Sequence, residues 1–146
     1  DQVYNMCFGY LFGTINPDRI LVAPDAGAAK KAAVIAGQGG FSDVLYASKS
    51  RNLATGEIVK LTLSGDVAGK DVVVIDDIAD GGYTFIQLAK LLDEGGAKTK
   101  TLIVTHGIFS KGEKVLTDVY DAVYTTNTFH LDRVGLVAGI TYKELM

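Results

Sequence analysis

One stretch constrains this chain more than any other. The apolar run Val72-Val73-Val74-Ile75 ends on two adjacent carboxylates, Asp76-Asp77, and Ile78-Ala79-Asp80-Gly81-Gly82-Tyr83-Thr84 follows. An uninterrupted apolar run of this length predicts a strand buried on both faces, central in a parallel sheet. It delivers acids and bare backbone amides to one point, where a helical pattern begins. Carboxylates at a strand end accept hydrogen bonds from vicinal hydroxyls, or hold Mg²⁺ directly or through water. Glycines let successive N–H groups converge on an anion, and the next helix N-terminus adds a positive partial charge. Thr84 adds a hydroxyl donor. A single Asp before a helix often only caps it, but Asp76, Asp77 and Asp80 exceed what a cap needs. The combination suits a ligand with both hydroxyls and a phosphate, such as a phosphorylated sugar.

The 146 residues, 48% of them hydrophobic, suffice for one domain with a full core. A net charge of −3 gives no bulk attraction to nucleic acid. No apolar run is long enough to span a membrane, and no signal peptide is visible. The single cysteine, Cys7, cannot form an internal disulfide, so a reducing cytoplasm is the expected setting. The chain starts at Asp1 without a methionine and reads as a piece, or one domain, of something longer.

Along the chain, Tyr4 to Ile15 reads as a short helix and Asn16-Pro17-Asp18 as a turn. Arg19 to Ala23 reads as a buried strand. Ala26 to Gln38, rich in alanine, reads as a helix closed by Gly39-Gly40. Asp43 to Ala47 is a second strand, and Ser48 to Gly56, polar and without periodicity, a mobile loop. Glu57 to Leu63 alternates as a half-buried edge strand does. After Val72–Ile75, Gly82 to Glu94 is an amphipathic helix with apolar Phe85, Leu88, Ala89, Leu91 and Leu92. Thr101 to Val104 is a strand, Gly112 to Thr117 a short helix, and Ala122 to Thr125 the last clear strand. Strands alternating with helices predict an α/β fold, a mostly parallel sheet covered on both faces. Ligands in such folds bind beyond the carboxyl ends of the strands. Asp25, Lys49, Asp76-Asp77 and Thr105-His106 all fall at such ends.

Pro24-Asp25-Ala26-Gly27 is a second acid-plus-glycine turn. It either cradles a phosphate or metal, or is an ordinary capped turn. Lys49 and Arg51 lie in the polar segment, where two cations could close over phosphates; solvated surface charge is the commoner role. His106 and His130 gain no assigned role. Gly65 to Lys70 ends in Gly-Lys, but its glycine spacing is wrong for a P-loop. Gly37-Gln38-Gly39-Gly40 closes a helix instead of opening one, which excludes a dinucleotide fingerprint. No Cys/His spacing suits a transition metal.

Asp76 to Thr84 resembles the phosphoribosyl-diphosphate loop of type I phosphoribosyltransferases. Further segments narrow the resemblance to ribose-phosphate diphosphokinases, also called phosphoribosyl diphosphate synthetases. Val22 to Ala32 resembles their diphosphate-side loop and helix, and Ser48-Lys49-Ser50-Arg51 the start of their catalytic flexible loop. Gly65 to Asp71 resembles the lead into the sugar-phosphate loop, and Val104 to Ser110 and Thr125 to Thr128 resemble two later signatures. The resemblance implies a type I phosphoribosyltransferase-like fold, a mostly parallel twisted sheet flanked by helices. It also implies that residues 1–146 are the second of two similar fused domains. By the same resemblance, Asp76 and Asp77 would hold ribose hydroxyls, and Asp80, Gly81, Gly82, Tyr83 and Thr84 the 5-phosphate. Lys49 and Arg51 would stabilise the diphosphoryl group in flight, and Asp25 would help to place Mg²⁺ and the phosphates of ATP. The family's homo-oligomeric assembly is implied in the same way.

This sequence departs from the family pattern at Ser48 and Ser50, where an acid and an extra arginine are usual. It departs again at Gly81, Gly82 and Tyr83, where a Thr, a small residue and a Gly are usual. Tyr83 in a tight phosphate loop either crowds the ligand or turns outward and leaves its N–H available. Three readings follow: diphosphoryl transfer from ATP to ribose 5-phosphate, a phosphoribosyltransferase acting on a base, and a regulatory paralogue that keeps the fold without catalysis.

Overall fold

The structure, a computed structural model, describes residues 19–39, 41, 43–79, 82–107, 111, 114–126 and 137–140. The strands are β1 (Arg19–Ala23), β2 (Asp43–Arg51), β3 (Ile58–Leu63), β4 (Asp71–Ala79), β5 (Thr99–Gly107), β6 (Ala122–Thr126) and β7 (Val137–Ile140). The helices are α1 (Ala29–Gly39), α2 (Tyr83–Glu94) and α3 (Lys114–Thr117). The expected helix at 4–15 and the turn at 16–18 lie outside the described residues, as do Cys7 and His130. Among the described residues, no helix is long and apolar enough to cross a membrane.

The strands form one seven-stranded sheet in the order β3-β2-β1-β4-β5-β6-β7. Among the described strands, only β3 runs antiparallel, paired with β2 at the edge. The other neighbours pair in parallel, in the register Val22↔Leu45, Val22↔Val74, Val74↔Leu102 and Leu102↔Val123. As the continuous apolar run predicts, β4 is the middle strand, with Val72, Val73, Val74 and Ile75 each at most 2% exposed. Burying each such side chain is worth about 1.5–3 kcal/mol, so β4 anchors the sheet.

Two cores follow from strand alternation. On one face Ile20, Val22, Val72, Val74, Leu102 and Val104 pack under Phe85, Leu88, Ala89 and Leu92 of α2. Those helix positions repeat as i, i+3, i+4, i+7, which gives one apolar stripe. On the other face Leu21, Ala23, Val73, Ile75 and Ile103 pack against Ala32, with Ala28, Ala29 and Ala36 beside it. Small side chains let α1 lie close to the sheet. The helices after β1 and β4 thus leave neighbouring strands on opposite faces, the divergence that forms a crevice beyond the carboxyl ends in open α/β sheets. The strand order reverses there, at the position where ligands bind in open α/β sheets.

Several boundaries differ from the sequence reading. Helix α1 starts at Ala29, because residues 26–28 form a turn in which the Ala28 N–H donates to Asp25 Oδ1 at 2.8 Å. Strand β4 continues through Asp76 and Asp77 to Ala79, because β5 keeps pairing as far as Ala79↔Gly107. Strand β7 went unread: Val-Ala-Gly-Ile is short, and its order comes from parallel pairing with β6. The Gly65–Lys70 segment leads into the amino end of β4, the opposite end of the strands from the switch point. There Gly69 has φ +71° and donates to the Gly96 carbonyl at 2.9 Å, which agrees with its rejection as a P-loop.

Candidate functional site

The β1–β4 register brings the two acid-bearing turns together. The pairing Val22↔Val74 places Pro24-Asp25 level with Asp76-Asp77 when continued. Asp25 is exposed, and one of its carboxylate oxygens is committed to the Ala28 N–H. The capped-turn reading of Asp25 therefore holds geometrically, while the carboxylate still faces solvent at the crevice. Asp76 pairs with Val104 across the sheet and is half-buried. Alternation from Val72 and Val74 puts it on the face that α2 covers. Asp77 is the next residue of β4.

Asp80 and Gly81 lie outside the described residues. Gly82 is buried and adopts φ 85°, ψ −3°, a left-handed conformation that favours glycine. A Cβ there would meet Leu116 Cδ2 at 3.3 Å and Val115 Cγ2 at 3.4 Å, so α3 presses directly on the turn. The Ile86 N–H donates to the Gly82 carbonyl at 2.9 Å and starts the helical ladder. Among the described residues no side chain caps α2, and its first turn holds no acid. Its leading N–H groups and positive dipole end thus remain available to an anion. Tyr83 is 66% exposed, so its side chain turns outward to solvent. Thr84 is half-buried beside it.

The expected mobile loop at Ser48–Gly56 is corrected. Ser48 to Arg51 belong to β2 and pair with β3 in the register Lys49↔Leu61 and Ser50↔Lys60. The turn beyond is closed by hydrogen bonds from Asn52 N to Glu57 O at 2.8 Å and from Gly56 N to Asn52 O at 2.7 Å. Asn52 Oδ1 also accepts from Ala54 N at 2.8 Å, and the Arg51 guanidinium donates to the Gly56 carbonyl at 3.2 Å. Ser48 to Glu57 are exposed throughout, so no hydrophobic alternation marks this stretch. Strand β2 runs five residues past its last pair with β1, Ala23↔Tyr46, which is about 16 Å of extended chain. The hairpin is therefore an arm on the crevice edge of the sheet. Lys49 stands level with the Pro24–Gly27 turn, on the same face as Leu45, Ala47 and Asp76. Lys49 and Arg51 are exposed and form no ion pair among the described residues.

His106 pairs through its backbone with Ile78 and Thr126 at the carboxyl end of β5. Among the described residues, no cluster of three or more His, Cys, Asp or Glu could hold a metal by itself. Mg²⁺ does not need one, because it binds through one or two carboxylates together with substrate phosphates. The hard oxygen donors Asp25 and Asp76 fit that requirement. Sequence reasoning missed Val115, Leu116 and Tyr120, which hold the helix side of the site. Nothing local in the sequence marks a contact between elements so far apart.

Comparison with known proteins agrees with this geometry. Residues 43–136 match the family described as phosphoribosyl synthetase-associated domain. The chain is 41% identical over 115 residues to ribose-phosphate pyrophosphokinase 2 of Saccharomyces cerevisiae, covering 77% of this chain and 36% of that protein. The crystal structure of phosphoribosylpyrophosphate synthetase from Mycobacterium smegmatis superposes with a TM-score of 0.84 at 27% identity, over 98% of this chain and 47% of that one. APRTase from Giardia lamblia, solved with 9-deazaadenine, shares the fold with a TM-score of 0.68 at 12% identity, over 84% of this chain and 75% of its own. The chain spans less than half the length of the curated relatives it matches.

Proposed function

This chain belongs to the phosphoribosyl synthetase-associated family, and on that premise we propose that the protein carrying it transfers the β,γ-diphosphoryl group of ATP to the 1-hydroxyl of ribose 5-phosphate. The products are 5-phosphoribosyl 1-diphosphate and AMP. The domain is the second half of a two-domain enzyme, and the other half supplies the remainder of the nucleotide site. One observation carries the reading. At the β1/β4 switch point, two strand-borne acids and a helix N-terminus with no side-chain cap among the described residues lie at the carboxyl end of the sheet, the end toward which the cationic arm extends.

The 1-hydroxyl oxygen attacks the β-phosphorus, and the bond from that phosphorus to the α,β-bridging oxygen breaks. AMP leaves with the bridging oxygen, and the hydroxyl proton passes to solvent. Asp76 and Asp77 accept hydrogen bonds from the ribose hydroxyls and fix the sugar's orientation. The amides of Asp80 to Thr84, with the Thr84 hydroxyl, hold the 5-phosphate against the positive end of α2. Lys49 and Arg51 offset the charge spread over the oxygens in transfer. Asp25 and Asp76 are the residues that would hold Mg²⁺, which when bound draws charge from the phosphate oxygens. Positioning supplies most of the acceleration, because the reaction asks for little covalent chemistry from the protein.

The test uses the longest natural form of the protein with Mg²⁺, ATP and ribose 5-phosphate, and follows AMP against ADP. AMP that appears only with the sugar phosphate supports the reading. Ribose 5-phosphate binding without AMP would instead favour a regulatory paralogue. Base-dependent release of diphosphate from phosphoribosyl diphosphate would favour a phosphoribosyltransferase.

A further inference from the structure

Tyr120 is 3% exposed, and its hydroxyl donates a 2.7 Å hydrogen bond to the backbone carbonyl of Phe85. Phe85 belongs to the first turn of α2, just after Gly82. On the same turn, Leu116 and Val115 close over Gly82. These contacts come from one short segment, because the Tyr120 N–H donates to the Leu116 carbonyl at 2.9 Å and ties the tyrosine to α3. Residues 114–120 therefore grip the start of α2 at two points, an apolar one at Gly82 and a polar one at Phe85. A buried tyrosine needs a partner for its hydroxyl, and any nearby carbonyl would satisfy it. The carbonyl used here belongs to the first turn of α2, whose leading amides have no intrahelical partner. Burial also pushes the Tyr120 pKa up, so the group stays a donor across the working pH range.

We infer that Tyr120 is a positioning residue for the phosphate subsite, holding the first turn of α2 where the N–H groups of Tyr83 and Thr84 converge on the 5-phosphate. The identity of that anion rests on the proposed function; the clamp rests on the contacts alone. Tyr120→Phe keeps the ring and removes the hydroxyl. Leu92→Val, a trimmed core residue near the far end of the same helix, controls for a general loss of stability.

Two readouts separate the clamp from the ligand. In the free protein, exchange of the Ile86 and Gln87 amides is expected to quicken about three- to tenfold in Tyr120→Phe, the effect of one hydrogen bond. In Leu92→Val the same amides keep their rate relative to the global unfolding rate. In steady-state assays of the longest natural form, KM for ribose 5-phosphate rises by a similar factor in Tyr120→Phe, while KM for ATP stays put. Unchanged first-turn exchange, or an equal rise in both KM values, overturns the inference. Wild-type protein that fails to bind ribose 5-phosphate sinks the proposed function instead, and faster first-turn exchange would still establish the clamp.

Discussion

Replacing Gly82 by alanine separates two physical effects that the structure stacks at one residue. The first is backbone strain. With φ at 85°, an L-residue costs about 1–2 kcal/mol relative to a right-handed conformation. The second is crowding. The new Cβ would lie 3.3 Å from Leu116 Cδ2, and Leu116 is fully buried with little room to yield. Inserting a methyl into such a site costs about 1–3 kcal/mol. Alanine also narrows the unfolded ensemble, which offsets about 0.4–1 kcal/mol. The net expectation is a loss of about 2–4 kcal/mol.

Gly69→Ala isolates the strain. Gly69 has φ +71° and nothing within 4 Å of its Cβ position, so its loss should be about 1 kcal/mol. Urea denaturation of both variants, with unchanged m-values, gives the comparison directly. The Gly82 variant should also lose affinity for ribose 5-phosphate, whereas the Gly69 variant should not. Equal destabilisation by the two substitutions would refute the account of α3 pressing on the phosphate turn.

Other consequences follow from the same site. Lys49→Ala and Arg51→Ala should each lower kcat by about 10²–10³, the loss seen when a transition-state donor is removed. Their ribose 5-phosphate Kd should stay nearly unchanged, and an equal loss of binding would reject the charge-stabilising role. Asp77→Asn should weaken ribose 5-phosphate binding by about tenfold or more, as expected for a bond to a charged acceptor; calorimetric titration would reveal an unaltered Kd if the carboxylate does not touch the sugar. Asp25→Ala removes the acceptor for the Ala28 N–H and should cost about 1 kcal/mol of stability. The same variant should raise the Mg²⁺ concentration at half-maximal activity, and an unaltered Mg²⁺ dependence would confine Asp25 to capping.

Much of the molecule was legible because its signals are local. The unbroken apolar run of Val72–Ile75 reads as a central strand, and Phe85, Leu88, Ala89 and Leu92 read as one helical stripe. The antiparallel edge strand showed itself by alternation, because one of its faces packs Leu61 and Leu63 on the core. The arm was misread for the opposite reason. Ser48 to Arg51 have no buried face, so what orders them is backbone pairing, to which side-chain pattern is blind. Asp76 and Asp77 fall at the carboxyl end of the sheet as read, but inside the strand instead of just past it, since only the partner β5 reveals how far β4 runs. The outward turn of Tyr83 was open in the sequence and is decided by the path of the chain at Gly82. Tyr120 gave no signal, since its partner lies 35 residues away.

Every residue from Ser48 to Glu57 is exposed. The side chains of this stretch thus lie outside both cores, and apart from Gly56, whose φ of +73° favours glycine, substitutions along it should leave folding nearly untouched. Stability and chemistry are uncoupled there in a way that the Gly82 turn, wedged under α3, does not permit. Selection, or an engineer grafting a different hairpin between Ala47 and Ile58, is free to retune charge, reach and partner preference at that edge while the scaffold continues to fold as before.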